Sequence, residues 1–154
     1  MISRTTLAFA LSLTLAAPFA ATTVADPAPR KISLTATDNM KFSVSEITAK
    51  RGESLQIVMR VVGTIPKIAM AHNVVVLKKG TKVDAFINAS ATARATDFIA
   101  PAVKSQVLAA TPLAGAGETV QVTFTAPKVP GRYDFVCSFP GHFAGGMRGV
   151  LIVK

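Results

Sequence analysis

Thr119-Val-Gln-Val-Thr-Phe-Thr125 alternates polar and apolar side chains without a break. A period of two fits an extended strand with one buried face, whereas an amphipathic helix repeats about every 3.6 residues. The same signature returns in Lys31–Thr37 and Tyr133–Cys137, and β-branched or long apolar runs fill Ser54–Val62, Val74–Leu77 and Arg148–Val153. Phe42, Val44 and Ile47 mark one further strand-like run, and Gln106–Ala110 another. Turn residues separate them at Asp38-Asn39, Arg51-Gly52, Lys79-Gly80 and Pro130-Gly131. Short, regularly spaced strands joined by turns predict an all-β sandwich or barrel. One stretch, residues 81–104, departs from the pattern. Thr81 and Asp84 have the spacing of a capping box, and Val83, Phe86 and Ile87 the i, i+3, i+4 spacing of a helix face, so a short helix-containing insertion is expected there.

The N-terminus reads differently from the rest. A basic residue, Arg4, precedes the apolar run Leu7–Ala17, which Pro18 interrupts, and Thr23-Val24-Ala25 offers small residues ahead of Asp26. This is the pattern of a secretory signal peptide over residues 1–25, too short to span a bilayer comfortably. Residues 26–30, with two prolines, are expected as a flexible leader, and 31–154 as one domain. The expectation is therefore an exported protein, most simply in a bacterial periplasm, with no stable membrane insertion once the signal is removed. Loss of residues 1–25 takes away Arg4 alone and lowers the net charge from +9 to +8. The basic residues are scattered rather than striped with aromatics, which argues against nucleic-acid binding; a solvated basic face is the simpler reading of the charge, and docking of an acidic partner is the other. Leu113-Ala-Gly-Ala-Gly117 lacks the lysine and hydroxyl residue of a phosphate-binding loop.

Between the last two strands runs Cys137-Ser-Phe-Pro-Gly-His142-Phe-Ala-Gly-Gly-Met147. It holds the sole cysteine of the chain and one of two histidines. Taken alone, these residues also fit a buried thiol, an incidental histidine and a gap-filling methionine. Their placement argues otherwise. Cys137 ends one strand, His142 lies in the loop and Met147 opens the next strand. The other histidine, His72, heads the run Val74–Leu77 beside a turn. Thiolate, two imidazoles and a distant thioether are the donor set of a type 1 copper site.

The wording of the loop goes further. Cys-Ser-Phe-Pro-Gly-His with a methionine beyond it resembles the C-terminal loop of the cupredoxins, the azurins in particular. Met70-Ala-His-Asn73 resembles their first-ligand segment, and Leu113 to Val153 continues the likeness, so that it covers essentially the whole mature chain. The resemblance implies an all-β Greek-key β-sandwich and one copper per chain, held by His72, Cys137, His142 and Met147, with the Ala71 carbonyl at the position of a further weak ligand. It implies that Asn73 and Ser138 hydrogen-bond to tie the two ligand loops together. It also implies an apolar docking patch at the exposed edge of His142, for which Met70, Phe139, Pro140, Phe143, Ala144 and Gly145 are the candidates. Four features depart from the azurins, one of them Ala71, which stands where their glycine usually precedes the histidine. Four residues, Phe143–Gly146, separate His142 from Met147, as in plastocyanins and auracyanins and one more than in azurins. The azurin disulfide and interior tryptophan are absent, since there is one cysteine and no tryptophan.

The expected function is single-electron shuttling between redox proteins by a monomer that docks them transiently, with no enzymatic activity. Four protein ligands leave no open position for a substrate, unlike a catalytic metal site. A multicopper oxidase or nitrite reductase needs additional histidines that this chain lacks. A cysteine hydrolase built on Cys137 and His142 lacks an orienting residue. A copper carrier or storage protein of the same fold is the alternative, although the five methionines form no cluster.

Overall fold

The structure is a computed structural model, and it describes residues 28–154. The expected signal peptide, 1–25, lies outside the described residues, as do the first two positions of the leader. Strand β1 spans Arg30–Thr37 and so begins inside the segment expected as leader. It is followed by β2 (Lys41–Phe42), β3 (Glu46–Ala49), β4 (Ser54–Val62), β5 (Val75–Leu77), helix α1 (Val83–Ser90), β6 (Val107–Ala110), β7 (Thr119–Thr125), β8 (Gly131–Val136) and β9 (Arg148–Val153). Two sheets form the sandwich. One has the order β2-β1-β4-β7 and the other β3-β9-β8-β5-β6.

Alternation does what it promised. In β1, Ile32, Leu34 and Ala36 are buried while Lys31 and Ser33 face solvent, and in β4 Leu55, Ile57, Met59 and Val61 point inward. These side chains meet Tyr133, Phe135, Leu151 and Val153 from the other sheet. Burying a side chain of this size contributes about 1.5–3 kcal/mol, so the interlocked faces are the main reason the sheets stay together.

The run Phe42–Ile47 is not one strand. The chain leaves the first sheet after Phe42 and joins the second at Glu46. Ser43 manages the exit: its hydroxyl accepts from Thr35 N at 2.9 Å and its own N–H donates to Thr35 O at 2.9 Å. On the far side of the crossing, Ser45 O accepts from Val150 N at 2.9 Å, and β3 then runs parallel to β9. Serine at the crossing replaces ladder bonds that would otherwise go unmade.

Helix α1 falls inside the expected insertion, but without the capping box. Its N-cap is Lys82, no side chain caps it, and Thr81 instead closes the turn after β5 by donating to Lys78 O at 3.2 Å. Phe86 goes fully inside, against Val75, Leu77 and Val136. Two short 3-10 turns, Arg94–Thr96 and Pro101–Gln106, complete the insertion. Among the described residues no helix is long and apolar enough to cross a membrane.

Candidate metal centre

His72 reaches the site on a two-way backbone bridge rather than within a strand. Its N–H donates to Ala114 O at 2.9 Å and its carbonyl accepts from Ala114 N at 2.8 Å. The loop Leu113–Gly117 therefore anchors the first histidine. Two residues on, Val74 N donates to Thr111 Oγ1 at 3.0 Å, and Thr111 N returns a bond to Val74 O at 3.0 Å.

Cys137 follows directly on β8, and its N–H donates to Met147 O at 3.1 Å, so the β8–β9 ladder continues one step into the loop. The loop is one turn of helix closed at its C-terminal end. Gly145 N donates to Gly141 O at 2.9 Å, Gly146 N to Phe143 O at 2.9 Å and Met147 N to His142 O at 2.9 Å. The last two bonds, with Gly146 at φ 90°, have the pattern of a Schellman motif. The four residues between His142 and Met147 thus form a closed turn that returns the methionine to the histidine. Lys41 reinforces the turn from β2, donating its Nζ to Gly145 O at 2.8 Å.

The result is a compact cluster. A ring nitrogen from His72, one from His142 and the Cys137 sulfur lie within 4.8 Å of one another. Cys137 Sγ is 3.4 Å from His142 Nδ1, and Met147 Sδ is 3.2 Å from His72 Nδ1. The four side chains expected to act together are together, and His72, Cys137 and Met147 are fully buried. His142 is 2% exposed, tucked beneath Phe139 at a ring separation of 4.7 Å, so the exposed edge expected for it is nearly closed.

Burial also sets the protonation of the metal-free site. The Cys137 thiol is pushed up from 9.0 to about 11 by its loss of water, with the backbone N–H groups of Asn73 and Phe139 pulling the other way. His142 is pushed down from 6.5 to about 4, first by burial and then by its neighbour His72. His72 moves down for the same first reason. Both imidazoles are therefore neutral at pH 7, the form in which they offer lone pairs, and the thiol gives up a proton only to a cation that replaces it.

Asn73 and Ser138 are buried and bonded to each other. Asn73 Nδ2 donates to Ser138 Oγ at 2.9 Å, and Ser138 N donates to Asn73 Oδ1 at 2.9 Å. The segments that carry His72 and Cys137 are tied through these residues, and neither side chain faces solvent. A third participant escaped the sequence reading. The carbonyl of Asp97 accepts from Asn73 Nδ2 at 3.0 Å and from Ser138 Oγ at 3.4 Å. Asp97 stands at φ 54°, in the left-handed region that aspartate tolerates better than most residues. The insertion is thus a buttress for the site. Phe98 packs edge-on against Phe139 at 5.1 Å.

Of the remaining patch candidates, Pro140 and Ala144 are exposed, while Met70, Phe139, Phe143 and Gly145 are half-buried. Phe143 packs toward the cluster of Val75, Leu77, Phe86 and Val136, and Arg148 covers its ring at 5.2 Å. Ala71 is buried next to His72.

Soft sulfur and borderline nitrogen donors, with no carboxylate among them, fit copper rather than a hard cation such as calcium or magnesium. Comparisons with known proteins agree. Residues 30–154 match the model of copper binding proteins of the plastocyanin/azurin family. The chain is 32% identical to azurin of Pseudomonas chlororaphis over 127 residues, covering 80% of this chain and 98% of that one. It is 35% identical to auracyanin-A of Chloroflexus aurantiacus over 118 residues, covering 76% and 69%. Among solved structures, reduced auracyanin from Roseiflexus castenholzii superposes with a TM-score of 0.70 at 32% identity, covering 83% and 99%. An azurin from Methylomonas sp. strain J gives 0.71 at 30%, covering 82% and 99%. The family match spans the whole sandwich, and the donors that the family needs for its one copper lie together within it: the chain belongs to the plastocyanin/azurin family of blue-copper electron carriers.

Proposed function

We propose that this protein is an exported, monomeric carrier of single electrons, with copper held by His72 Nδ1, Cys137 Sγ, His142 Nδ1 and Met147 Sδ. The observation that carries the reading is the convergence of these four donors inside a doubly tied β framework. When bound, copper supplies a one-electron Cu(I)/Cu(II) couple. The chain's part is to keep the donors still. The Ala114 bridge holds His72, the Asn73–Ser138 pair joins the two ligand segments, and the closed turn fixes Met147 relative to His142. Donors that need not move between oxidation states make each transfer inexpensive in reorganisation.

Partner redox proteins dock transiently on the surface over His142, where Pro140 and Ala144 are exposed and Met70, Phe139, Phe143 and Gly145 lie around them. Lys41 and Arg148 border this surface, which suits an acidic partner. Export is supported by the signal-like segment at residues 1–25. The Ala71 carbonyl, next in the chain to His72, is proposed as an additional weak donor.

Titrating the metal-free protein with Cu(II) tests the reading. An intense visible thiolate-to-copper band is expected, and Cys137→Ala is expected to abolish it. A colourless adduct, or colour that survives in Cys137→Ala, overturns the assignment. Fast electron self-exchange separates a shuttle from a copper store, which has no need of it.

A further inference from the structure

The strands of the second sheet are polarised in charge. Three of them turn one end toward the metal centre: Cys137 follows β8, Met147 precedes β9 and His72 lies three residues ahead of β5. Their other ends carry lysine or arginine. Lys78 and Lys79 follow β5, Lys128 and Arg132 flank the start of β8, and Lys154 follows β9. The two outer strands repeat the arrangement. Strand β3, parallel to β9, runs into Lys50-Arg51, and Lys104 stands three residues ahead of β6.

Backbone bonds hold these ends side by side. Lys154 N donates to Ala49 O at 2.9 Å, Arg51 N to Lys154 O at 3.3 Å and Lys78 N to Gln106 O at 2.8 Å. Lys79 reaches across to the start of β8, its Nζ donating to Pro130 O at 3.2 Å. Lys78, Lys79 and Lys82 line one shallow hollow, with Ser105 and Gln106 on its other wall. With neighbouring strands about 4.8 Å apart, five strand ends make a basic ridge roughly 20 Å wide. Its lysines and arginines are exposed, and neither ion pair among the described residues, Arg30–Glu53 and Lys67–Glu118, includes one of them. Of the acidic residues beside them in the chain, Glu53 is taken by Arg30, which leaves Asp84 and Asp134. Like charges gathered at one pole repel one another, and an anionic surface relieves that repulsion.

Two features say what kind of surface. The ridge is mostly lysine, a point charge on a flexible stem, spread too widely for a fork-shaped grip on one carboxylate. That spread fits diffuse attraction to many lipid headgroups. At its crest Val129 stands 59% exposed between Lys128 and Pro130. An aliphatic side chain among lysines suits the boundary between headgroups and acyl chains.

We propose that this pole is a reversible docking surface for a membrane rich in anionic lipid headgroups. Seated there, the protein turns its metal centre away from the bilayer, where soluble redox partners reach it. No donor residue takes part, so metal-free and copper-loaded protein bind alike, and failure of the copper assignment would leave this proposal standing.

Cosedimentation with vesicles tests it, using the protein in the form that cells accumulate. Binding is expected to phosphatidylcholine vesicles that contain phosphatidylglycerol and not to phosphatidylcholine alone. It should be lost toward about 1 M salt, where charges are felt over only about 3 Å. Each lysine at an anionic surface strengthens binding about fivefold, so Lys78→Gln, Lys79→Gln and Lys82→Gln together should weaken it about a hundredfold. Arg60→Gln, toward the metal end of β4, should change it by no more than about twofold, being farther from the surface than charges are felt. Failure to bind anionic vesicles at low salt, equal binding to neutral ones, or a triple variant that binds as the wild type does overturns the proposal. Capture by polyglutamate but not by vesicles also overturns it, and assigns the pole to an acidic macromolecule. Should the triple variant not fold, the three single changes are read separately. Each is expected to weaken binding about fivefold, and three that leave it unchanged overturn the proposal.

Discussion

Met147 Sδ lies 3.2 Å from His72 Nδ1, although the two residues are 75 positions apart. The extra residue between His142 and Met147 does not push the thioether away, because the four intervening residues coil into a closed turn. Replacing Met147 by leucine conserves volume and removes the sulfur. Metal-free stability should change by less than about 1.5 kcal/mol, the visible band should remain, and the potential should shift. Chemical denaturation and voltammetry on one preparation check all three.

The turn itself has a weak point at Gly146. Its φ of 90° is costly for any residue with a Cβ, and such an atom would also stand 2.6 Å from Lys41 Nζ. Gly146→Ala should therefore destabilise the protein by about 1–2 kcal/mol. Because the strain falls between His142 and Met147, the EPR parameters of the copper protein should change as well. A stability loss with an unaltered spectrum would show that the turn does not govern the axial contact.

One Asn73 amide bonds both Ser138 and the Asp97 carbonyl. In Asn73→Ala the buried Ser138 N–H loses its acceptor and the buried Ser138 hydroxyl loses a donor, while the half-buried Asp97 carbonyl keeps only its bond from Ser138 Oγ. Stranding buried polar groups in this way costs about 1–3 kcal/mol apiece, so a loss on the order of 3 kcal/mol is expected in urea unfolding. Asn73→Ala combined with Ser138→Ala should cost less than the sum of the two single changes, since the first already removes most of what the second would break.

Protonation gives the metal-free protein a stability plateau. His142 titrates near 4 when folded and near 6.5 when not, so the unfolded chain binds the extra proton first and stability falls as pH drops from about 6.5 toward 4. The thiol of Cys137 ionises near 11 when folded and near 9 when not, so stability falls again as pH rises from about 9 toward 11. Melting temperatures measured across this range should be highest between the two limits. Cys137→Ser should remove the alkaline limb and leave the acid one. Copper uptake at pH 7 should release a proton from Cys137, measurable in weakly buffered solution.

Much of this was readable beforehand. The convergence of His72, Cys137, His142 and Met147 was, because a strand-ending cysteine, a loop histidine and a strand-opening methionine lie on one hairpin and His72 is the one other histidine. Strands β1, β4, β7 and β9 were, because half-buried or buried runs of that length have little else to become. The crossing at Ser43–Ser45 was not legible, since Phe42, Val44 and Ile47 satisfy a strand pattern whichever sheet receives them. Nor was the role of Asp97. A backbone carbonyl leaves no trace in side-chain patterning, and the only hint was an aspartate within an insertion rich in alanine. The capping box at Thr81 and Asp84 fitted in spacing, but the turn after β5 claimed Thr81 first.

The parallel pairing of β1 with β4 and of β3 with β9 has a consequence for how copper is loaded. Strand β3 meets its partner about a hundred residues downstream, and His72 is set by a bridge to Ala114. Distant pairings of this kind close slowly, because the loop entropy is spent before any contact repays it. The metal pocket should therefore form late, once both sheets have registered. Copper capture should report the final step of folding rather than guide the early ones, and a chain trapped before that step would expose a single thiol with nothing yet assembled around it.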